Sequence, residues 1–195
     1  MKTNWWLKFA AWLGRMYGMA TCPKRRITPP LPSPKRARPP VALRPEALLA
    51  KTEPAVPAWY GVALAELGQA EIAGPDHNPR IQEYLASSGL MYVADETAWC
   101  AAFVNWCLQQ AGLEGTERPN ARSFLAYGEP ADTPRVGDIV VLWRIAPDHW
   151  TGHSAFYAGE ENGDLLLLGG NQGDCVTVAR YSKDRVLDIR RPPAA

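Results

Sequence analysis

Ten of the eighteen prolines in this chain fall between Pro23 and Pro57. Proline fixes φ and lacks an N–H, so it serves neither a helix interior nor a central strand. The stretch 23–54, which opens PKRRITPPLPSPKRARPP, therefore cannot build a packed core. It reads as a semi-rigid, polyproline-like basic linker with a reach of about 3 Å per residue. The linker divides the chain into three parts: residues 1–22, the linker 23–54, and a folded domain over 55–195.

In the first part Trp5, Phe9, Trp12, Leu13 and Met16 follow a helical stripe, with Lys8 and Arg15 off it. Those two cations interrupt the charge-free core that a signal peptide requires. Each would cost about 2.5–3.5 kcal/mol at mid-bilayer, which argues against a spanning helix. The pattern fits an amphipathic helix lying on a membrane surface. A weak export signal and a partner-binding helix rank behind it.

Charge divides at the same place. Residues 1–52 hold eleven Lys and Arg against the single acid Glu46, a net +10, and the remainder holds ten against nineteen, a net −9. A basic arm thus precedes an acidic domain, and could meet an anionic membrane, nucleic acid or wall polymer. No aromatics are interleaved with its arginines, which argues against nucleic acid.

Within 55–195, AWYGVALAELGQAEI places Trp59, Val62, Ala63, Leu67 and Ala70 on one helical face. PRIQEYLASSGL forms a second short helix ending at Gly89, and a third begins in DETAWCAAFVNWC, residues 95–107. A single helical turn is expected around Ser123–Tyr127. Strand patterns then follow at 138–143, 153–159, 164–170, 175–181 and 186–191, each bounded by Gly, Asn, Asp or Pro. Helices first and strands after define an α+β domain, with N-terminal helices packed on an antiparallel sheet of about five strands.

The cysteines Cys22, Cys100, Cys107 and Cys175 show no disulfide-framework spacing. Cys100 and Cys107 are separated by a helical rise of roughly 10 Å, too far for a bridge. No C-x-x-C or H-E-x-x-H occurs, and His77, His149 and His153 stand at no ligand spacing with the thiols. No metal and no cofactor are expected.

Asp95 and Thr97 are candidate N-caps for the third helix, which puts Cys100 in its first turn. Unpaired amides and the positive end of the helix dipole favour a thiolate there and supply donors for an oxyanion. Cys100, Phe103, Val104, Cys107, Leu108 and Ala111 form one apolar stripe. Cys107 lies two turns deeper and reads as core. Cys100 at the tip is either a core residue or a nucleophile, and a base decides between them.

His153 begins a strand, whereas His77 and His149 lie in loops, so His153 is the candidate base. HSAFYAGEENGDLLLLGGN reads as a hairpin turning at Asn162–Gly163. With Gly159 opposite Leu165, His153 faces Asn171, whose side chain would orient the imidazole. A slip of one residue would turn Asn171 to the other face. Cys100, His153 and Asn171 then form a nucleophile, base and orienter. Gln172 and Trp99 are candidate substrate contacts.

DETAWCAAFVNWCLQQAGL, VGDIVVLWR, GHSAFYAGE and LLLLGGNQGDCVTVARY resemble, in this order, the cysteine peptidases of the CHAP (cysteine, histidine-dependent amidohydrolase/peptidase) and NlpC-type superfamily of bacteria and phages. DHNPRIQEYL matches a subgroup found in prophages, and the resemblance spans residues 55–193. It implies a papain-like fold and hydrolysis of an amide bond in peptidoglycan, with Cys100 as nucleophile, His153 as base and Asn171 as third member. It further implies a bacterial or phage-encoded enzyme, such as an endolysin, acting in the cell envelope without cofactor or metal. The competing readings are an amidohydrolase or deamidase of a protein substrate, and an idle interaction protein on the same fold. Fast alkylation of Cys100 near neutral pH separates the enzymes from the idle fold.

Overall fold

A computed structural model describes residues 56–91 and 93–194. The expected amphipathic helix of residues 1–22 and the linker 23–54 lie outside the described residues.

Three helices come first. α1 (Ala58–Ala65) starts directly after Pro57, and the Trp59 indole donates to the Gly137 carbonyl at 2.8 Å. α2 (Pro79–Ala86) has proline at its first position, and the Asn78 side chain caps it by accepting from the Arg80 N–H at 2.9 Å. α3 (Cys100–Gln110) is buried from Cys100 to Leu108. Six strands follow: β1 (Glu129–Pro130), β2 (Ile139–Trp143), β3 (Gly152–Glu161), β4 (Asp164–Gly169), β5 (Thr177–Tyr181) and β6 (Val186–Arg191). They form one antiparallel sheet in the order β1-β6-β2-β3-β4-β5. The domain is thus α+β as expected. The additional strand is β1, two residues paired with the end of β6, too short to leave a strand pattern in the sequence. The expected turn near residue 123 is a 3₁₀ helix, Ala121–Ala126.

The central strands β2, β3 and β4 are buried on both faces. One face packs Ile139, Val141, Phe156, Leu166 and Leu168 against the three helices. The other carries a smaller cluster of Val140, Leu142, Ala155, Leu165 and Leu167, flanked by Tyr157, Tyr181, Val186 and Ile189. That explains why β2 and β4 read as unbroken apolar runs instead of alternating.

The β3–β4 hairpin turns through Asn162 (φ +53°) and Gly163 (φ +85°), both left-handed as a tight two-residue turn demands. Its register differs at first from expectation: Gly159 pairs with Leu166, not Leu165. An irregularity between Tyr157 and Gly159 then absorbs one residue, and the final pairs, Tyr157 with Leu167 and Phe156 with Leu168, follow the expected register. β4 ends at Gly169, so the four residues Gly152–Ala155 of β3 extend beyond the last paired position on that edge. The candidate site lies at this open edge.

Candidate active site

Cys100 is the first residue of α3 and is 5% exposed. Neither Asp95 nor Thr97 caps the helix. Trp99 occupies the N-cap position and no side chain bonds there, so the first amides of α3 are not consumed by a cap. The Asp95 carboxylate instead turns away. Its Oδ2 accepts from the Ile72 and Asn78 N–H groups, both at 3.0 Å, and its Oδ1 meets His77 Nδ1 at 3.3 Å. His77, Asp95 and Glu96 bring three donor atoms within 4.8 Å of one another, a spacing that could hold a cation. With both oxygens of Asp95 already bonded, the group reads as a clamp between the loops that precede α2 and α3.

The thiol meets the open edge of β3. It contacts the His153 ring and accepts a hydrogen bond from the Ser154 backbone N–H. Burial alone would raise its pKa. The charge of His153, the hydrogen bond to that ring, the Ser154 N–H and the charge of Arg144 outweigh burial and bring it from an ordinary 9.0 down to about 7. Cys107, also a free thiol, is buried, and burial and Glu66 push its pKa up, as befits core. Cys175 is disulfide-bonded, which the cysteine spacing did not foretell.

His153 is 4% exposed and pairs across the sheet with Leu142. Its Nε2 lies 3.0 Å from Gln172 Oε1. The amide orientation of Gln172 is determined by its other bonds: its Nε2 donates to the carbonyls of Leu167 and Thr177. The Oε1 must then face the ring as an acceptor, which places the imidazole proton on Nε2. Nδ1 is left with its lone pair free for the thiol. Tyr181 stacks on the ring, centroids 5.3 Å apart at 26°. His77 and His149 bond to Asp95 and Thr151 respectively, and neither reaches the thiol.

Three of the expected site residues are placed differently. Asn171 does not orient the ring. It adopts φ +54° just after β4 ends, and this left-handed step breaks the alternation that would have set it opposite His153. The next residue, Gln172, expected as a substrate contact, folds back beneath the imidazole and is 8% exposed. Gly169 permits this approach, since a Cβ there would lie 2.7 Å from Ala155 Cβ and 3.1 Å from Gln172 Oε1. Trp99, also expected to touch substrate, is fully buried. Its indole donates to Glu71 Oε1 at 2.9 Å, and its ring packs so tightly on Gly170 that a Cβ there would come within 2.3 Å of it. Trp106 is core as well, whereas Trp150 is 72% exposed on the β2–β3 loop.

Tyr181, Arg144 and the Ser154 amide were not singled out by sequence reasoning. A strand pattern marks Tyr181 as half-buried, but nothing local says that it lies over His153.

Residues 92–171 match the family model of the CHAP domain, in agreement with the resemblance carried by the motifs. A CHAP domain implies amidase or peptidase activity, typically on peptidoglycan. The matched stretch contains Cys100 and His153 and ends one residue before Gln172. Among solved structures, a lipoprotein-like protein of the NLP/P60 family from Staphylococcus aureus is similar at 14% identity and a TM-score of 0.38, with 62% of this chain and 44% of that chain covered. The chain therefore spans less than half of that relative. No curated protein matches the chain. Among the described residues, no helix is long and apolar enough to cross a membrane.

Proposed function

We propose that the chain hydrolyses an amide bond in the stem peptides of peptidoglycan, within the cell envelope, through the Cys100 thiolate. The observation that carries this reading is the joining of three elements at one point. The first residue of α3 supplies a thiol, β3 supplies an imidazole against it, and Gln172 holds that imidazole in the tautomer that can accept the thiol proton.

His153 Nδ1 takes the Cys100 proton, and the thiolate attacks the peptide carbonyl. Amides at the start of α3, not consumed by a cap, stabilise the oxyanion. The imidazolium, its Nε2–H held by Gln172, returns its proton to the leaving amine. Water then cleaves the thioester, with His153 again as base. Gln172 is a positioning residue here, in the place the sequence reading assigned to Asn171.

The test is full-length protein, wild type and Cys100→Ala, incubated with purified peptidoglycan, with soluble fragments read by mass spectrometry. Fragments released by the wild type alone are expected, and their masses name the bond. No release by the wild type at any pH between 6 and 9, with Cys100 alkylating rapidly, would replace peptidoglycan with another amide substrate.

A further inference from the structure

Residues 53–195 carry a net charge of −9, yet the rim of the site is cationic. Among the described residues, ion pairs join Glu66 and Glu83 to Arg80, Asp138 to Arg191, Glu160 to Lys183, Glu161 to Arg180 and Asp188 to Arg190. None includes Arg144 or Arg185. Arg185 is occupied by backbone: its Nε and Nη2 donate to the Trp143 carbonyl at 3.1 and 2.8 Å, its Nη2 reaches the Arg144 carbonyl at 3.5 Å, and its guanidinium covers the Trp143 ring at 5.4 Å. These bonds brace the backbone from which Arg144 projects. The Arg144 guanidinium itself is exposed and has no hydrogen-bond or carboxylate partner among the described residues.

Arg144 stands two residues beyond Leu142, the strand partner of His153. Arg144 follows directly on Trp143, the last residue of β2, at the end of the strand where His153 and its stacked neighbour Tyr181 lie. Two arginines side by side with no counter-ion repel each other, and an anion seated between them and the thiol relieves that cost. A guanidinium fork fits a carboxylate through two parallel hydrogen bonds.

We propose that Arg144 binds a carboxylate of the substrate beside the scissile amide, so that the enzyme selects peptides with a free acidic group at that position. The proposal rests on the amide-hydrolase reading above and adds to it the substrate class. The charge of Arg144 also falls on Cys100 and Arg185, whose pKa values are lowered, and opposes the rise that burial imposes on Tyr181, which fits its place at the mouth of the site.

The first test needs no natural substrate. The full chain is alkylated with iodoacetate, an anion, and with iodoacetamide, its neutral counterpart, and Cys100→Ala supplies the background from other thiols. The ratio of the two rates cancels the thiolate fraction, so a changed Cys100 pKa cannot mimic the effect. Arg144→Gln is expected to lower the iodoacetate-to-iodoacetamide ratio about five- to tenfold at low salt, and Arg144→Lys to keep most of it. A ratio unchanged in Arg144→Gln overturns the proposal, whether or not the protein cuts peptidoglycan. In the second test, matched stem peptides carry either a carboxylate or a carboxamide beside the cleaved bond. The wild type is expected to prefer the carboxylate in kcat/KM, and Arg144→Gln to lose that preference. Equal rates on both peptides overturn the proposal. Cleavage of neither overturns the peptidoglycan reading, and the alkylation ratio still decides on Arg144.

Discussion

Replacing Gln172 by Ala removes the acceptor of the His153 Nε2–H and the donor to the Leu167 and Thr177 carbonyls. The ring becomes imidazolium during turnover, so its bond to Gln172 is charge-assisted and worth about 1.5–3 kcal/mol. That corresponds to a loss of roughly 10- to 150-fold in kcat/KM. Without the acceptor the ring proton is free to move to Nδ1, the tautomer that cannot take the thiol proton. The alkylation midpoint of Cys100 should then rise above about 7. Two carbonyls deprived of their shared donor cost about 1–3 kcal/mol of stability. Asn171→Ala is the matched control. Its side chain makes no hydrogen bond among the described residues, so activity should fall less than about threefold, while the φ of +54° costs alanine about 1–2 kcal/mol of stability. Asn171→Gly should recover that strain. Iodoacetamide rates from pH 5 to 10, peptide hydrolysis and urea melts measure the three quantities separately. The reasoning fails if Asn171→Ala loses as much activity as Gln172→Ala, or if the Gln172→Ala alkylation profile superimposes on the wild type.

Cys100 should alkylate with a midpoint near pH 7, the rate rising as the thiolate forms. In His153→Ala, if the thiol returns to its ordinary range, the thiolate at pH 7 falls from about half to about one per cent, a roughly 50-fold slower rate by stopped-flow alkylation. Gly170→Ala places a methyl 2.3 Å from the Trp99 ring, which should destabilise the domain by about 3 kcal/mol or more in a urea melt. Asp95 is buried, which alone would raise its pKa, but the Ile72 and Asn78 N–H groups and His77 hold it below its ordinary value. Its stabilising contribution is therefore full above the unfolded carboxylate range and is lost as the pH falls through the depressed folded value. Asp95→Asn should lower stability at neutral pH and flatten the urea midpoint against pH below about pH 4.

The elements were legible because each has a local cause. The helix faces of residues 58–65 and 100–110 show in the spacing of apolar residues, the Asn162–Gly163 turn in two residues that tolerate left-handed φ, and the strands in β-branched and leucine runs. Cys100 and His153 were legible for a similar reason. A thiol in the first turn of a helix and an imidazole at a strand start are each defined by their own neighbours. The N-cap was misread because Asp95 has a strong local preference for capping but a stronger set of donors in Ile72, Asn78 and His77, which approach only through the fold. Trp99 was misread because a tryptophan beside a nucleophile looks like a cleft wall until Gly170 and Tyr84 are seen packed against it.

By itself the sequence determined that a basic, proline-rich arm precedes an α+β domain, and that one thiol and one imidazole sit at element starts, because periodicity, composition and charge act between residues near in the chain. Only the tertiary structure decided which of two adjacent amides reaches the imidazole. That choice depends on β4 ending at Gly169 and on the left-handed step at Asn171. A displacement of one residue reverses the face of a side chain. The energies that set such a displacement come from contacts between segments far apart in sequence, Trp99 against Gly170 and Gln172 against Leu167 and Thr177 among them.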